Sequence, residues 1–218
     1  MNILFLGKPA SGKGTITQTL NSDQFIHLST GDLLREEIQQ KTKLGEYIDQ
    51  LLKEGQYADD DIIIHMVQKF LSNHQHKNII FDGFPRNIHQ WEICIQKNIM
   101  FDKIFFIQVN NDVVKERILN RRVHLPSGRI YHLKNKPPQR EGLDDITGEP
   151  LSIRNDDRME ILEQRLKNFE KLVVPLIHHI KNNHQEMIEI DGTIPISQQI
   201  DIVQKEIQQM NKKNKNHF

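Results

Sequence analysis

Cysteine is nearly absent from this sequence, since Cys94 is the only one among 218 residues. A single cysteine excludes an intrachain disulfide and a zinc site built from several cysteines, and it suits a reducing compartment. Neither sign of charge is in excess, because lysine plus arginine and aspartate plus glutamate both number 29. General attraction to nucleic acid or to a membrane surface is therefore excluded, and any basic site must be local.

Long hydrophobic runs are also missing, because no apolar stretch approaches the ~18 residues that span a bilayer. A chain of this length buries roughly 70–75% of its unfolded surface, which is enough for one substantial core. We therefore expect a cytoplasmic protein with one main domain and with neither a membrane nor a nucleic-acid partner.

A glycine-containing loop that ends in lysine follows the apolar residues 3–6. Gly7 to Lys13 fit the pattern G-x-x-x-x-G-K, and a hydroxyl follows at Thr15. The backbone N–H groups of such a loop surround a polyphosphate at a helix N-terminus, while the lysine reaches the terminal phosphates. We predict that a nucleoside triphosphate is bound by the loop residues Ala10, Ser11, Gly12, Lys13, Gly14 and Thr15.

Apolar strand patterns alternate with helical patterns along the chain. After residues 3–6, strand patterns occur at 25–28, 79–81, 104–107 and 187–190. The runs 62–71 and 159–180 place apolar residues at steps of three and four, as helices packed on a sheet require. This alternation predicts an α/β fold with a doubly wound, parallel sheet.

Residues 122–157 interrupt the alternation with seven prolines and glycines and no long apolar period. Residues 127–132 have the pattern of a short hairpin. Because long insertions in compact domains are usually functional or disordered, and Arg121 and Arg154 flank this one, we interpret it as a functional lid.

Asp82 follows directly after the apolar strand at 79–81 and precedes Gly83. A carboxylate at the carboxyl end of a central strand lies beside the phosphate loop, where it can orient Mg²⁺ or its water shell. We therefore assign Asp82, together with the hydroxyl of Thr15, to the magnesium side of the site. The alternative is a turn-forming Asp-Gly pair.

Several motifs together resemble the adenylate kinase family, specifically its bacterial form with a long lid. They lie, in the family's order and spacing, at 7–15, 29–35, 82–86, 128–132 and 154–157. The resemblance covers nearly the whole chain and implies the P-loop nucleoside monophosphate kinase fold, with a five-stranded parallel sheet. It implies a core at 1–28, 59–121 and 158–218, a helical AMP-binding insert at 29–58 and a β-rich lid at 122–157. The family's reaction is reversible phosphoryl transfer from Mg-ATP to AMP, giving two ADP.

The resemblance also implies roles for individual residues. The catalytic set would be Lys13, Arg86, Arg121, Arg154, Asp156 and Arg165. Besides the phosphate loop, ATP would contact Arg121, Ile130, Tyr131 and Gly192. AMP would contact Thr30, Arg35, Gln56, Tyr57, Ala58, Gly83, Phe84, Pro85, Arg86, Gln90, Arg154 and Arg165, with Gln90 facing the adenine edge.

The physical chemistry of this reaction accounts for so many arginines. A triphosphate and a monophosphate together carry roughly six negative charges, of which one Mg²⁺ cancels only two. Guanidinium groups bind phosphate oxygens bidentately and stay charged at every relevant pH. The attacking phosphate oxygen is already ionised, so we expect no general base.

A tetrad of polar side chains in the lid, His124, Ser127, Asp144 and Thr147, occupies the positions of four cysteines in zinc-bearing relatives. We expect these side chains to be joined by hydrogen bonds without structural zinc. The alternative is a metal site made by the histidine and the aspartate.

Three positions depart from the family pattern, and one of them is Asn87, which replaces a common threonine. Ala10 stands where many members have glycine, which is tolerable if the residue keeps a negative φ. Ile194 stands where lysine is common, which leaves the donor-side adenine contacts to the Gly192 backbone and to lid packing.

Three other functions remain as alternatives. A kinase for UMP, CMP or GMP would share the loop and arginines, but its usual short lid is disfavoured by residues 122–157. A GTPase switch requires Asn-Lys-x-Asp, whereas Asn135 and Lys136 are followed by two prolines. A non-enzymatic module would bind ATP without consuming AMP. The balanced charge and the complete catalytic set favour a monomer.

Overall fold

The computed structural model describes residues 1–20, 24–183 and 186–215, and a parallel five-stranded sheet lies at its centre. The strand order is β2-β3-β1-β4-β7, and all four pairings are parallel. The strands are β1 (Asn2–Gly7), β2 (Phe25–Ser29), β3 (Asn78–Asp82), β4 (Lys103–Gln108) and β7 (Met187–Asp191). Every predicted strand segment is present, which confirms the parallel α/β sheet.

Helices connect these strands and cover both faces of the sheet. They are α1 (Lys13–Leu20), α2 (Thr30–Gln39), α3 (Lys43–Lys53), α4 (Asp60–Asn73), α5 (Ile88–Gln96), α6 (Asn111–Asn120), α7 (Met159–Asn168), α8 (Val174–Asn182) and α9 (Ile196–Lys215). A 3₁₀ turn (Asn155–Asp157) precedes α7, and a π-helical turn (Phe169–Val173) joins α7 to α8. None of the described helices is both long and apolar enough to cross a bilayer.

Alternate strand residues build two cores, one on each face of the sheet. Leu4, Phe81 and Ile104 pack with residues of α5 and α8 on one face. Ile3 and Phe5 pack with residues of α1 and α9 on the other. Burial on both faces explains why these strands are continuous apolar runs and confirms the doubly wound arrangement.

Cys94 belongs to the first of these cores and is fully buried. Burial raises the pKa of its thiol to about 12. The thiol is thus uncharged at neutral pH, and its role is packing.

A small antiparallel sheet forms from β5 (Arg121–His124) and β6 (Arg129–His132). Ser152 pairs with Val123 and closes the segment, so we call residues 121–152 the β5–β6 segment. The predicted hairpin is present, but its first strand, β5, lies before the predicted range of 127–132. Sequence analysis did not recognise β5 as a strand because its residues are mostly polar.

The strand order determines where the candidate site lies. β2, β3 and β1 are neighbours in the sheet, and their carboxyl ends are Ser29, Asp82 and Gly7. Ligands of open parallel sheets bind at this edge. The phosphate loop, the start of α2 and the Asp82 turn are therefore brought together by topology alone.

Candidate active site

A cavity of about 670 Å³ opens at this edge of the sheet. It is lined by most of the predicted site residues, namely Ala10, Ser11, Gly12, Lys13, Gly14, Thr15, Arg35, Tyr57, Asp82, Gly83, Pro85, Arg86, Arg121, Ile130, Tyr131, Arg154 and Arg165. Seven predicted residues are described by the structure but do not line the cavity: Thr30, Gln56, Ala58, Phe84, Gln90, Asp156 and Gly192. One continuous space thus joins the predicted ATP side to the predicted AMP side.

Lys13 is the cation at the base of this cavity. Its Nζ donates to the carbonyl oxygens of Gly7 at 2.7 Å and Lys8 at 3.0 Å. Burial, joined by repulsion from Arg86 and other arginines, lowers the pKa of Lys13 to about 8, although Asp82 opposes the shift. A bound anion would favour the charged form of Lys13 and so raise this pKa, as expected for a phosphate-binding lysine.

The backbone of the phosphate loop includes conformations that favour glycine. A Cβ at Gly7, where φ is +152°, would lie 2.7 Å from Ser11 Oγ and 2.8 Å from the Ile107 oxygen. Ala10 has a φ of +54°, so the condition of a negative φ, under which alanine was expected to be tolerated, is not met. The tight curvature of the loop requires the left-handed region at this position, and alanine carries its steric cost.

Six arginines line the cavity, and two of them, Arg121 and Arg165, are held by carboxylates. Arg121 makes a bidentate ion pair with Asp157: Nε donates to Oδ2 at 2.7 Å, and Nη2 donates to Oδ1. Arg165 Nη1 lies 2.8 Å from Asp156 Oδ2. These pairs orient guanidinium groups that would otherwise be free to rotate.

Two more of these arginines, Arg86 and Arg154, are held less tightly. The guanidinium of Arg86 lies over the ring of Tyr57, 4.7 Å from its centroid. Arg154 Nε is buried and has no hydrogen-bond partner among the described residues. Burial, followed by repulsion from Arg35 and Arg121, lowers the pKa of Arg154 to about 10. A buried guanidinium nitrogen without a hydrogen-bond partner indicates a site for an anion.

On the predicted AMP side, Gly83 permits a close approach of two side chains. Its φ is +84°, and a Cβ there would lie 2.5 Å from Arg86 Nη2 and 2.8 Å from Thr30 Oγ1. Thr30 Oγ1 donates to the Gly83 carbonyl at 2.8 Å. Arg35 pairs with Asp32, one turn away on α2.

Gln90 is buried, and both polar atoms of its side-chain amide are hydrogen-bonded. Its Oε1 accepts from the Arg86 backbone N–H at 2.7 Å, and its Nε2 donates to Asp60 Oδ1 at 2.6 Å. The side chain thus supports the turn that carries Arg86. A direct contact between Gln90 and adenine would use the second hydrogen of Nε2 or the second lone pair of Oε1.

Asp82 lies in the cavity wall opposite Lys13. Burial by itself would raise the pKa of Asp82, but contact with His27, whose Nε2 is 3.5 Å away, and the charge of Lys13 lower it to about 2. The carboxylate is therefore ionised at neutral pH, as a magnesium-side residue must be. Gly83 follows in a bend, with a φ of +84°.

Comparison with known proteins identifies a family for the chain. A family model described as adenylate kinase matches residues 5–186. This chain belongs to the adenylate kinase family. Family membership makes it an enzyme, a nucleoside monophosphate kinase, and argues against the GTPase switch and the non-enzymatic module.

Individual members of the adenylate kinase family are similar over nearly their full length. The adenylate kinase of Buchnera aphidicola subsp. Acyrthosiphon pisum (strain Tuc7) is 37% identical over 203 residues, which cover 90% of this chain and 94% of that protein. The adenylate kinase of Hydrogenobaculum sp. (strain Y04AAS1) is 37% identical over 199 residues, which cover 88% of this chain and 94% of that protein.

Sequence reasoning missed Arg117 in this adenylate kinase family member. Arg117 lines the cavity, and its Nη1 donates to the Ser11 carbonyl at 2.8 Å while Nη2 donates to Gly192. It thereby ties the phosphate loop to the turn after β7. No motif marks it in the sequence, because its partners are backbone carbonyl oxygens.

Hydrogen bonds link the tetrad in the β5–β6 segment. His124 Nδ1 lies 2.7 Å from Ser127 Oγ, and Thr147 Oγ1 donates to Asp144 Oδ2 at 3.0 Å. Two residues outside the tetrad complete the network: Arg129 donates twice to Asp144, and Glu149 Oε2 lies 2.6 Å from His124 Nε2.

Asp144 is the centre of that network. Hydrogen bonds from Arg129 hold the pKa of its carboxyl well below the usual range despite burial. Across the described residues, no group of three or more histidine, cysteine, aspartate or glutamate side chains is arranged to hold a metal ion.

The lowered pKa of Lys13 predicts a pH effect on nucleotide binding. Above about pH 8 the free protein loses the Lys13 proton, whereas a bound triphosphate restores it by favouring the charged form. ATP binding at about pH 9 should therefore take up a substantial fraction of a proton, and binding should weaken as the pH rises. Calorimetry in buffers of different ionisation enthalpy measures this uptake. A Lys13→Met variant should lack it, and its absence from the wild type would contradict the assignment.

Proposed function

We propose that this protein transfers the terminal phosphoryl group of Mg-ATP to AMP, reversibly, giving two ADP, and thereby balances the adenine nucleotide pool. The observation that carries the proposal is the convergence of Lys13 and six arginines on one cavity between the phosphate loop and residues 82–86. Such a cavity accommodates two phosphate chains end to end. The names of the relatives support adenine as the base of both nucleotides.

The proposed mechanism is positioning together with charge stabilisation. The phosphate loop and Lys13 hold the donor triphosphate, while Arg35 and Arg86 on the opposite side hold the acceptor phosphate. Arg121, oriented by Asp157, stabilises charge on the group in transit. An acceptor phosphate is ionised at neutral pH, so no side chain has to remove a proton.

The donor set fits Mg²⁺, which prefers oxygen ligands and accompanies ATP in this family. The ionised carboxylate of Asp82 and the hydroxyl of Thr15 both line the cavity beside the phosphate loop. These two residues would hold the ion or its water shell. When bound, the ion would neutralise charge on the triphosphate.

Two parts of the chain are proposed to move during the reaction. Residues 29–58, which contain α2 and α3, would close over AMP, and residues 122–157 would close over ATP as a lid without zinc. The contribution of Ile130 and Tyr131 to the cavity wall supports the second assignment. Closure would exclude water, which otherwise competes for the phosphoryl group.

Both features of the lid can be measured. The distance between labels on the lid and the core should shorten when a bisubstrate analogue binds, and a constant distance would contradict closure. Metal analysis should find no stoichiometric zinc.

A monomer in the cytoplasm is the proposed working state. The cavity-lining residues of both nucleotide sides come from a single chain, so no partner copy is needed to complete the site. A sedimentation measurement should give the mass of one chain, 25.7 kDa.

The decisive experiment measures ADP formation from Mg-ATP with and without AMP. ADP should accumulate only when AMP is present, and UMP, CMP and GMP should be poor acceptors. ATP consumption without an acceptor would indicate a hydrolase. Preference for another monophosphate would indicate a sibling kinase.

Arg86 should matter most for AMP. Its guanidinium is held over Tyr57 at the predicted AMP side, and a charged hydrogen bond contributes about 1.5–3 kcal/mol. Arg86→Ala is therefore expected to raise KM for AMP by roughly 10- to 150-fold, with a smaller effect on KM for ATP. Arg158→Ala is the matched control, because Arg158 is exposed and does not line the cavity. An unchanged KM for AMP would contradict the assignment of Arg86.

A further inference from the structure

Gln199, in the first turn of α9, has a side-chain oxygen that the fold leaves unpaired. The residue is 1% exposed. Its Nε2 donates to the carbonyl oxygens of Ile194 at 2.8 Å and Gly192 at 3.2 Å. Because both partners can only accept, the amide cannot be turned over, and Oε1 must point the other way. Within the described residues Oε1 has no hydrogen-bond partner.

The unpaired oxygen lies at the donor end of the cavity. Gln199 lines the same cavity as the phosphate loop. A Cβ built on Gly12 would lie 3.6 Å from Gln199 Oε1, 3.8 Å from Arg117 Nη1 and 3.8 Å from Ile196 Cδ1. A hydrogen-bond acceptor, a planar cation and an aliphatic side chain therefore meet beside the loop. This combination suits a flat heterocycle with a polar edge.

An unpaired buried acceptor is costly, and a ligand that supplies a donor removes the cost. Purine bases differ in what they offer at position 6, since adenine carries an amine that donates and guanine carries an oxygen that accepts. An amine would pair with Gln199 Oε1, whereas an oxygen would face it as a second acceptor. The site therefore discriminates between these bases by the direction of one hydrogen bond.

We propose that Gln199 Oε1 accepts a hydrogen bond from the 6-amino group of the donor nucleotide, making Gln199 a specificity-determining residue for ATP. The inference rests on the proposed function only in placing the donor base beside the phosphate loop. It assigns a donor-side base contact to a residue that the sequence motifs do not mark. Gln199 also braces the turn at 192–195, and the test must separate these two roles.

Calorimetric titration measures the relevant affinities without turnover. The full-length wild type and Gln199→Met are titrated with ATP and with purine riboside 5′-triphosphate, which lacks only the 6-amino group. The wild type should prefer ATP, and Gln199→Met should reduce this preference by about 2- to 10-fold, as expected for one neutral hydrogen bond. Inosine triphosphate, which carries an oxygen at position 6, should bind the wild type more weakly still.

The control is Gln198→Met. Gln198 is the exposed glutamine directly before Gln199 in the chain, and it does not line the cavity. It should keep the wild-type preference. A Gln199→Met variant that weakens both nucleotides equally would show that Gln199 only braces the turn, and would overturn the proposal. Gln199→Leu serves as a second variant if the first does not fold.

Two results with the wild type alone bear on the proposal. Equal affinity for ATP and purine riboside 5′-triphosphate would overturn it without any variant. A wild type that binds no ATP would overturn the proposed function as well, so the two failures are distinguishable.

Discussion

Arg121→Ala should lower kcat by about 10²- to 10⁵-fold, the range found for single groups that stabilise transition-state charge. Arg121 is buried, lines the cavity and is fixed by its ion pair with Asp157. Because the guanidinium is already oriented, it needs no rearrangement when charge develops on the phosphoryl group. Steady-state kinetics with saturating ATP and AMP measure the change.

The controls for Arg121 separate catalysis from folding. Arg121→Lys keeps a positive charge beside Asp157 but lacks the planar fork, so it should fold and still turn over slowly. Arg122→Ala is the neighbouring control, since Arg122 does not line the cavity and should keep nearly full activity. A folded Arg121→Lys or Arg121→Ala enzyme with the wild-type kcat would refute the role of Arg121.

Asp157→Asn should lower the free energy of unfolding by about 3–5 kcal/mol, because it leaves Arg121 buried without a counter-charge. The Asp157 side chain is fully buried, accepts two bonds from Arg121 and lies 3.8 Å from Arg165 Nη1. The isosteric amide preserves packing while removing the charge. Urea denaturation measures the loss.

Asp201→Asn is the matched control for Asp157, because Asp201 is exposed on α9. Its effect should stay within about 0.5 kcal/mol, as for most surface substitutions. If Asp157→Asn changed stability no more than Asp201→Asn, the ion pair would have no structural importance.

The fold was largely predictable because its strands are buried on both faces. Such strands are apolar throughout, so residues 79–81 and 104–107 are recognisable without any partner. These strands were predicted too short, because polar residues such as Asn2 and Asp82 occupy their first and last positions. β5 was missed for a related reason: Arg121, Arg122 and His124 give it no apolar pattern.

The candidate site was predictable wherever a motif depends on backbone geometry. Gly7 and Gly83 are required by close approach, and such requirements recur as fixed spacings in sequence. Side-chain pairing carries no comparable signal. Asp156 and Asp157 are adjacent and chemically identical. Only tertiary packing determines that Arg121 pairs with Asp157 and that Arg165 pairs mainly with Asp156.

The hydrogen bonds that Lys13 makes within its own loop have a consequence for nucleotide release. Its ammonium group rests on two carbonyl oxygens of its own loop, 2.7 and 3.0 Å away. If Lys13 binds phosphate as proposed, these two oxygens would replace its lost hydrogen bonds when the nucleotide dissociates. The free-energy cost of product dissociation would then be less than the full strength of the lysine–phosphate contact.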